Sequence, residues 1–110
     1  MHINTNNKTI QIKVCKNFFT RLIGFMFHIE PIEYGLCFPK CNCIHTFFMY
    51  QPVDVVMTDK NNRILYFYQN LKPWKIIWPK KGVYYTYEFA ADSMDYYGVN
   101  DIFRVKHNPE

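Results

Sequence analysis

Val53-Asp54-Val55-Val56-Met57-Thr58 runs into Asp59-Lys60-Asn61-Asn62 and then into Arg63-Ile64-Leu65-Tyr66-Phe67-Tyr68-Gln69. Val53–Met57 is nearly continuously apolar and rich in β-branched residues, which reads as a central strand covered on both faces. Asp59–Asn62 is a hairpin turn, because Asn tolerates the positive φ that tight turns need. Arg63–Gln69, rich in Ile, Leu, Tyr and Phe, returns as the partner strand. This hairpin makes the domain a β-sheet protein.

Working outward, Ile10, Ile12 and Val14 alternate with Gln11 and Lys13 and read as a first strand with one wet face. Over Lys16–Met26 the period changes. Phe18, Phe19, Leu22, Ile23 and Met26 recur at three and four, marking a short amphipathic helix that Gly24 can end. Gly35–Phe38 and Ile44–Met49 read as strands on either side of a turn at Pro39–Asn42. Leu71–Gly82 contains two prolines and reads as a long loop. Val83–Phe89 is a strand with Val83, Tyr85, Tyr87 and Phe89 on one face. Ala90–Tyr97 reads as a second helix capped at Gly98, and Asp101–Val105 as a last strand. The expectation is an α+β fold: mainly antiparallel, six to seven short strands in a curved sheet or partial barrel, with helices near 17–24 and 90–97.

The 110 residues suit a single domain over 1–110, with an ordered core of about 9–105 and polar, fraying ends at residues 1–8 and 107–110. Aromatics make up 19% of the chain, enough to fill one core. The longest apolar run is far short of the roughly 20 residues that cross a bilayer. Residues 1–20 lack a secretory signal, so a soluble, cytoplasmic protein is expected, with Cys15, Cys37, Cys41 and Cys43 as thiols. Cys15 reads as a small core residue. The net charge of +4 is local. Residues 72–81 carry four Lys and no acid, and the rest of the chain balances nine basic against nine acidic residues.

Several of these segments recur in a recognisable order. Arg21-Leu22-Ile23-Gly24-Phe25-Met26-Phe27 is followed by Cys41-Asn42-Cys43-Ile44-His45-Thr46-Phe47-Phe48-Met49, then by Pro52-Val53-Asp54, and near the end by Tyr87-Glu88-Phe89-Ala90-Ala91. Over roughly residues 9–105 this resembles the family known only as domain of unknown function 192. Its members read Arg-x-x-Gly-Leu-Met-Phe, Cys-x-x-Ile-His-Thr-x-x-Met, Pro-x-Asp, Leu-Glu-x-x-x-Gly and Gly-Asp. Two turn residues depart from that pattern: the glycine of the Leu-Glu segment is replaced around Asp92, and Gly-Asp reads Asn100-Asp101. The resemblance implies a fold and directs attention to Cys41–Asp54. It implies no reaction.

In an extended strand, Cys41, Cys43 and His45 project from one face. Two thiolates and an imidazole are zinc ligands, with Cys37, Asp54 or water as a fourth, although Cys-x-Cys is tighter than the usual structural zinc spacing. His45 beside Asp54, with Cys43 or Thr46 near, would outline a base, an orienter and a nucleophile. Lys72, Lys75, Lys80 and Lys81 interleave with Trp74 and Trp78, a mixture suited to single-stranded nucleic acid or an anionic membrane surface. The leading expectation is a non-enzymatic domain binding a protein or small ligand, without cofactor, in a cleft lined by His45, Thr46, Met49, Asp54 and Trp74. The alternatives are a small metal-dependent (zinc) or thiol-based enzyme using Cys41, Cys43 and His45, and nucleic acid or membrane binding through Lys72–Lys81.

Overall fold

A computed structural model describes residues 1–6 and 8–108. The elements follow in the order β1 (His2–Asn4), β2 (Thr9–Val14), α1 (Phe18–Ile23), β3 (Gly35–Pro39), β4 (Ile44–His45), β5 (Val53–Thr58), β6 (Ile64–Leu71), β7 (Ile76–Ile77) and β8 (Tyr85–Ala90). Six strands form one sheet in the order β1-β2-β3-β8-β5-β6, and β4 pairs with β7 in a separate ribbon. The hairpin that opened the sequence is present: β5 pairs antiparallel with β6 on one side and with β8 on the other, and all six of its residues are buried.

The sheet is mixed rather than purely antiparallel. β2 and β3 run parallel, Ile12 opposite Gly35 and Val14 opposite Cys37. Parallel neighbours need a long crossover, and the segment containing α1 supplies it. Gly35 is required where the chain re-enters the sheet, since a Cβ there would lie 2.3 Å from the Phe89 ring. The sheet stays open. Its edge strands β1 and β6 do not pair with each other, and the C-terminal segment makes single bridges, Ile102 to Arg63 and Lys106 to His2.

Alternation along the strands divides the interior into two clusters. Cys37, Val56, Tyr87 and Phe89 meet Ile3, Ile10 and Phe103 in one. Leu36, Phe38, Val53, Val55 and Met57 meet Phe25 and Met49 in the other. Tyr85, Tyr87 and Phe89 share a face of β8, which turns Thr86 and Glu88 the other way; Val83, expected on that face, precedes the strand and packs in the second cluster.

Several expected elements take other forms, each for a local reason. The first residues do not simply fray: His2–Asn4 pair with β2 and Ile3 is fully buried. Of the ends expected to fray, residues 7, 109 and 110 lie outside the described residues. The strand expected over Ile44–Met49 stops at His45. Thr46 turns to bond with Lys75, and Phe48 takes φ 62. The loop Leu71–Gly82 carries β7. Asp101–Val105 forms one isolated bridge, at Ile102, instead of a strand.

The helix expected over 90–97 is a series of turns, and the cause is Asp54. Its buried carboxylate accepts the N–H groups of Asn70 (2.8 Å), Asp92 (2.9 Å) and Met94 (3.0 Å). Asn70 and Asp92 sit at φ 56 and 63, so the carboxylate holds both in the left-handed region and interrupts the helical run. Asp92 and Asn100 (φ 76) occupy the two positions where the resembled pattern has glycine. Asp and Asn are the non-glycine residues that tolerate this conformation best.

Asp54→Ala leaves one buried and two part-buried N–H groups without their acceptor, and each such loss costs about 1–3 kcal/mol where the group stays out of water. Denaturant unfolding of Asp54→Ala is expected to show a loss of at least about 3 kcal/mol. Asp54→Asn, which keeps one oxygen for Asn70 and Asp92 but turns an amide N–H₂ on Met94, is expected to lose less.

Candidate functional site

α1 caps itself well but covers the molecule in an unusual way. Asn17 accepts the Thr20 N–H in its side chain at 2.8 Å, and Gly24 ends the helix at φ 48. The expected amphipathic pattern is present, yet none of the helix residues is buried. Phe18, Leu22 and Ile23 lie over a pocket of about 500 Å³ between α1, the β4–β7 ribbon and the large sheet. Phe38, Met49, Ile77 and Trp78 are among the other apolar residues that line it.

At the floor of this pocket is Glu88. Strand alternation points it away from Tyr87 and Phe89, between Leu36 of β3 and Val55 of β5. It is 3% exposed, and burial acts on its carboxyl with no hydrogen bond contributing to offset it. Gly24 lies directly against it: a Cβ on Gly24 would sit 3.2 Å from Glu88 Oε1. Burial alone pushes the Glu88 carboxyl up to about 8, so it is a neutral acid at pH 7. Arg21 and Lys40 line the same pocket, and Glu88 is the single acid there among the described residues. Arg21 forms no ion pair with it.

The residues singled out in the sequence divide into two groups. His45, Met49, Cys41 and Cys43 line the pocket. His45 Nδ1 accepts the Phe47 N–H at 3.1 Å, which places the proton of the neutral ring on Nε2. Its ring stacks on Phe47 at 5.2 Å. Thr46, Asp54 and Trp74 do not line the pocket. Thr46 is fully buried and fastens the following loop: its hydroxyl donates to Lys72 O and accepts from Lys75 N, both at 2.8 Å. Asp54 is spent on its three amides, so the expected His45–Asp54 pair does not form. Trp74 is exposed against Phe48, and Trp78 takes the place expected for it at the pocket rim.

The zinc set is not assembled. Residues 41–43 are not part of a strand, which covers only Ile44–His45, and the Cys41 thiol donates to Cys43 O at 3.1 Å. The one-face premise therefore fails. Among the described residues no group of three His, Cys, Asp or Glu side chains could hold a metal ion. Nor is Cys41 an activated nucleophile. Burial raises its pKa, and burial raises that of Cys37 to about 12, keeping both as thiols.

In the sequence Glu88 stands in the Tyr87–Ala91 motif and Trp78 in the Lys72–Lys81 loop, but neither was among the residues expected to line the cleft. Glu88 is flanked there by aromatics that alternation buries. Because the folded state keeps a proton that the unfolded chain releases, stability falls as pH rises from the ordinary glutamate range to about 8. Melting temperatures between about pH 5 and about pH 9 are expected to show this decline, and Glu88→Gln to remove Glu88's share of it.

No helix among the described residues is long and apolar enough to cross a membrane. A protein-family profile, DUF192 (Uncharacterized ACR), matches residues 1–107. A UPF0127 protein of Thermococcus sibiricus is 32% identical over 95 residues, covering 80% of this chain and 60% of that one. Another, of Pyrococcus horikoshii, is 33% identical over 84 residues, covering 71% and 70%. This chain thus spans less than two thirds of the first relative's length. Among solved structures, a candidate transcription regulator of Sinorhizobium meliloti superposes with a TM-score of 0.70 at 18% identity, covering 92% of this chain and 85% of that one. A protein of unknown function from Novosphingobium aromaticivorans gives 0.66 at 17% identity, covering 76% and 65%. At those identities the likeness is one of fold. With the family profile matched over almost its whole length, the chain belongs to the DUF192 family.

Proposed function

We propose that this domain binds a small, predominantly apolar molecule in the pocket beneath α1. The observation that carries this reading is a pocket of about 500 Å³, apolar in most of its wall, under a helix that buries none of its own residues. Small-molecule sites commonly measure about 300–1,000 Å³ and combine apolar walls with a few convergent polar groups. Here those groups are Glu88, His45 and Arg21. Phe18, Leu22 and Ile23 leave large apolar areas in water, and an occupant would cover part of them.

The neutral dye N-phenyl-1-naphthylamine, whose emission rises in apolar surroundings, tests the reading. Saturable binding with one site per chain is expected. Ile44→Trp, which fills a half-buried wall position on β4, is expected to weaken it about tenfold or more while the melting temperature holds. Tyr50→Ala, at an exposed position outside the pocket, is expected to leave it unchanged. Absence of saturable binding by the wild-type chain would reject the reading.

A second reading is supported by a different observation. Phe27, Phe48 and Trp74 are exposed aromatics, and all three hold positive φ, at 61, 62 and 66°. Bulky residues rarely occupy that region. Phe48 joins the other two rings, 5.6 Å from Phe27 and 4.8 Å from Trp74, beside exposed Lys72 and Lys75. Aromatic rings with adjacent lysines suit the interface of an anionic membrane. Co-sedimentation with phosphatidylglycerol vesicles at low salt is expected, reduced by Trp74→Ala and by added salt. Retention of a labelled single strand in place of vesicles would assign the surface to nucleic acid.

A further inference from the structure

Resting on the pocket reading, we propose that Glu88 is the recognition group of the site and that the occupant is an amphiphile with an apolar tail whose polar end is a carboxylate, held by a hydrogen bond from the Glu88 carboxyl. Glu88 is almost completely enclosed and lines the pocket, and no hydrogen bond contributes to its raised pKa. A polar group taken this far out of water is costly unless a hydrogen bond completes it. The backbone is arranged to keep the group there. Gly24, at φ 48, lets the end of α1 rest within van der Waals reach of Oε1, where any side chain would press on the carboxyl.

The charge around the pocket selects the sign of the ligand's polar end. The charged and titratable groups that face the space are Arg21 from α1, Lys40, Cys41 and Cys43 from the turn after β3, and His45 from β4. The strand neighbours of Glu88, Leu36 and Val55, carry no charge. A cationic head would meet Arg21 and Lys40 with only a neutral acid to receive it. A carboxylate meets favourable potential from both and an O–H donor at the floor. The resulting O–H···O⁻ bond between two carboxyl groups sharing one proton is of the short, charge-assisted kind. No covalent step is involved. When Glu88 ionises above about pH 8, two anions face each other in a low-dielectric space and the bond is lost.

Displacement of N-phenyl-1-naphthylamine from the full chain by decanoate, decanol and decylamine provides the test. Near pH 6.5 decanoate is expected to displace the dye at a concentration about tenfold below that of decylamine, and near pH 9 that advantage is expected to vanish. Glu88→Gln, whose amide donates at any pH and which leaves Arg21, Lys40, Cys41, Cys43 and His45 in place, is expected to keep decanoate binding at both pH values. Glu88→Leu is expected to lose the preference for decanoate over decanol. Preference for decylamine, or a decanoate profile that is independent of pH in the wild-type chain, would overturn the assignment. Dye binding without any preference among the three would also overturn it while leaving the pocket reading intact. Absence of dye binding would remove both.

Discussion

Two carboxyl groups enclosed in the same sheet set its organisation, and their opposite circumstances separate structure from site. Asp54 on β5 and Glu88 on β8 lie on paired strands, Asp54 opposite Phe89 and Val55 opposite Glu88. Asp54 is satisfied by three backbone amides, one from the end of β6 and two from the turns after β8, and the left-handed residues Asn70 and Asp92 are held by those bonds. Glu88 lines the pocket, and no hydrogen bond contributes to offset its burial. A protein keeps a polar group this far out of water chiefly where something other than stability requires it.

The rest of the architecture follows from holding that difference in place. β5 is buried along its whole length and gives both clusters a common wall. The parallel β2–β3 crossover carries α1 across the face on which Glu88 emerges, and Gly24 lets the helix end approach it. On the far side Thr46 ties Lys72 and Lys75 to the ribbon, which keeps Ile76, Ile77 and Trp78 along the pocket edge.

What the sequence disclosed follows from the range of the interactions involved. The β5–β6 hairpin and the face shared by Tyr85, Tyr87 and Phe89 are local patterns, and both were readable. The helix at Phe18–Ile23 was readable as well, since Asn17 and Gly24 bound it in the chain. Ala90–Tyr97 misled because its local pattern is helical while its amides answer to Asp54, some 40 residues away. His45 and Asp54 misled in the same manner: strand periodicity places them on neighbouring elements but cannot report that Asp54 has already been taken by loop amides. Glu88 was legible as part of the Tyr87–Ala91 motif, but its place at the pocket floor was not. Its role appears once alternation, the parallel crossover and the close approach of Gly24 are combined, and two of those are long-range.

The account therefore turns on whether burial keeps Glu88 a neutral acid at the floor of an accessible pocket. A pH titration of its side-chain carboxyl carbon by nuclear magnetic resonance, on protein labelled at glutamate and assigned with Glu88→Gln, measures this directly. Burial predicts a midpoint raised to about 8. A midpoint at the ordinary glutamate value of about 4.3 would mean that the carboxyl is hydrated or paired with a cation, and would contradict the account.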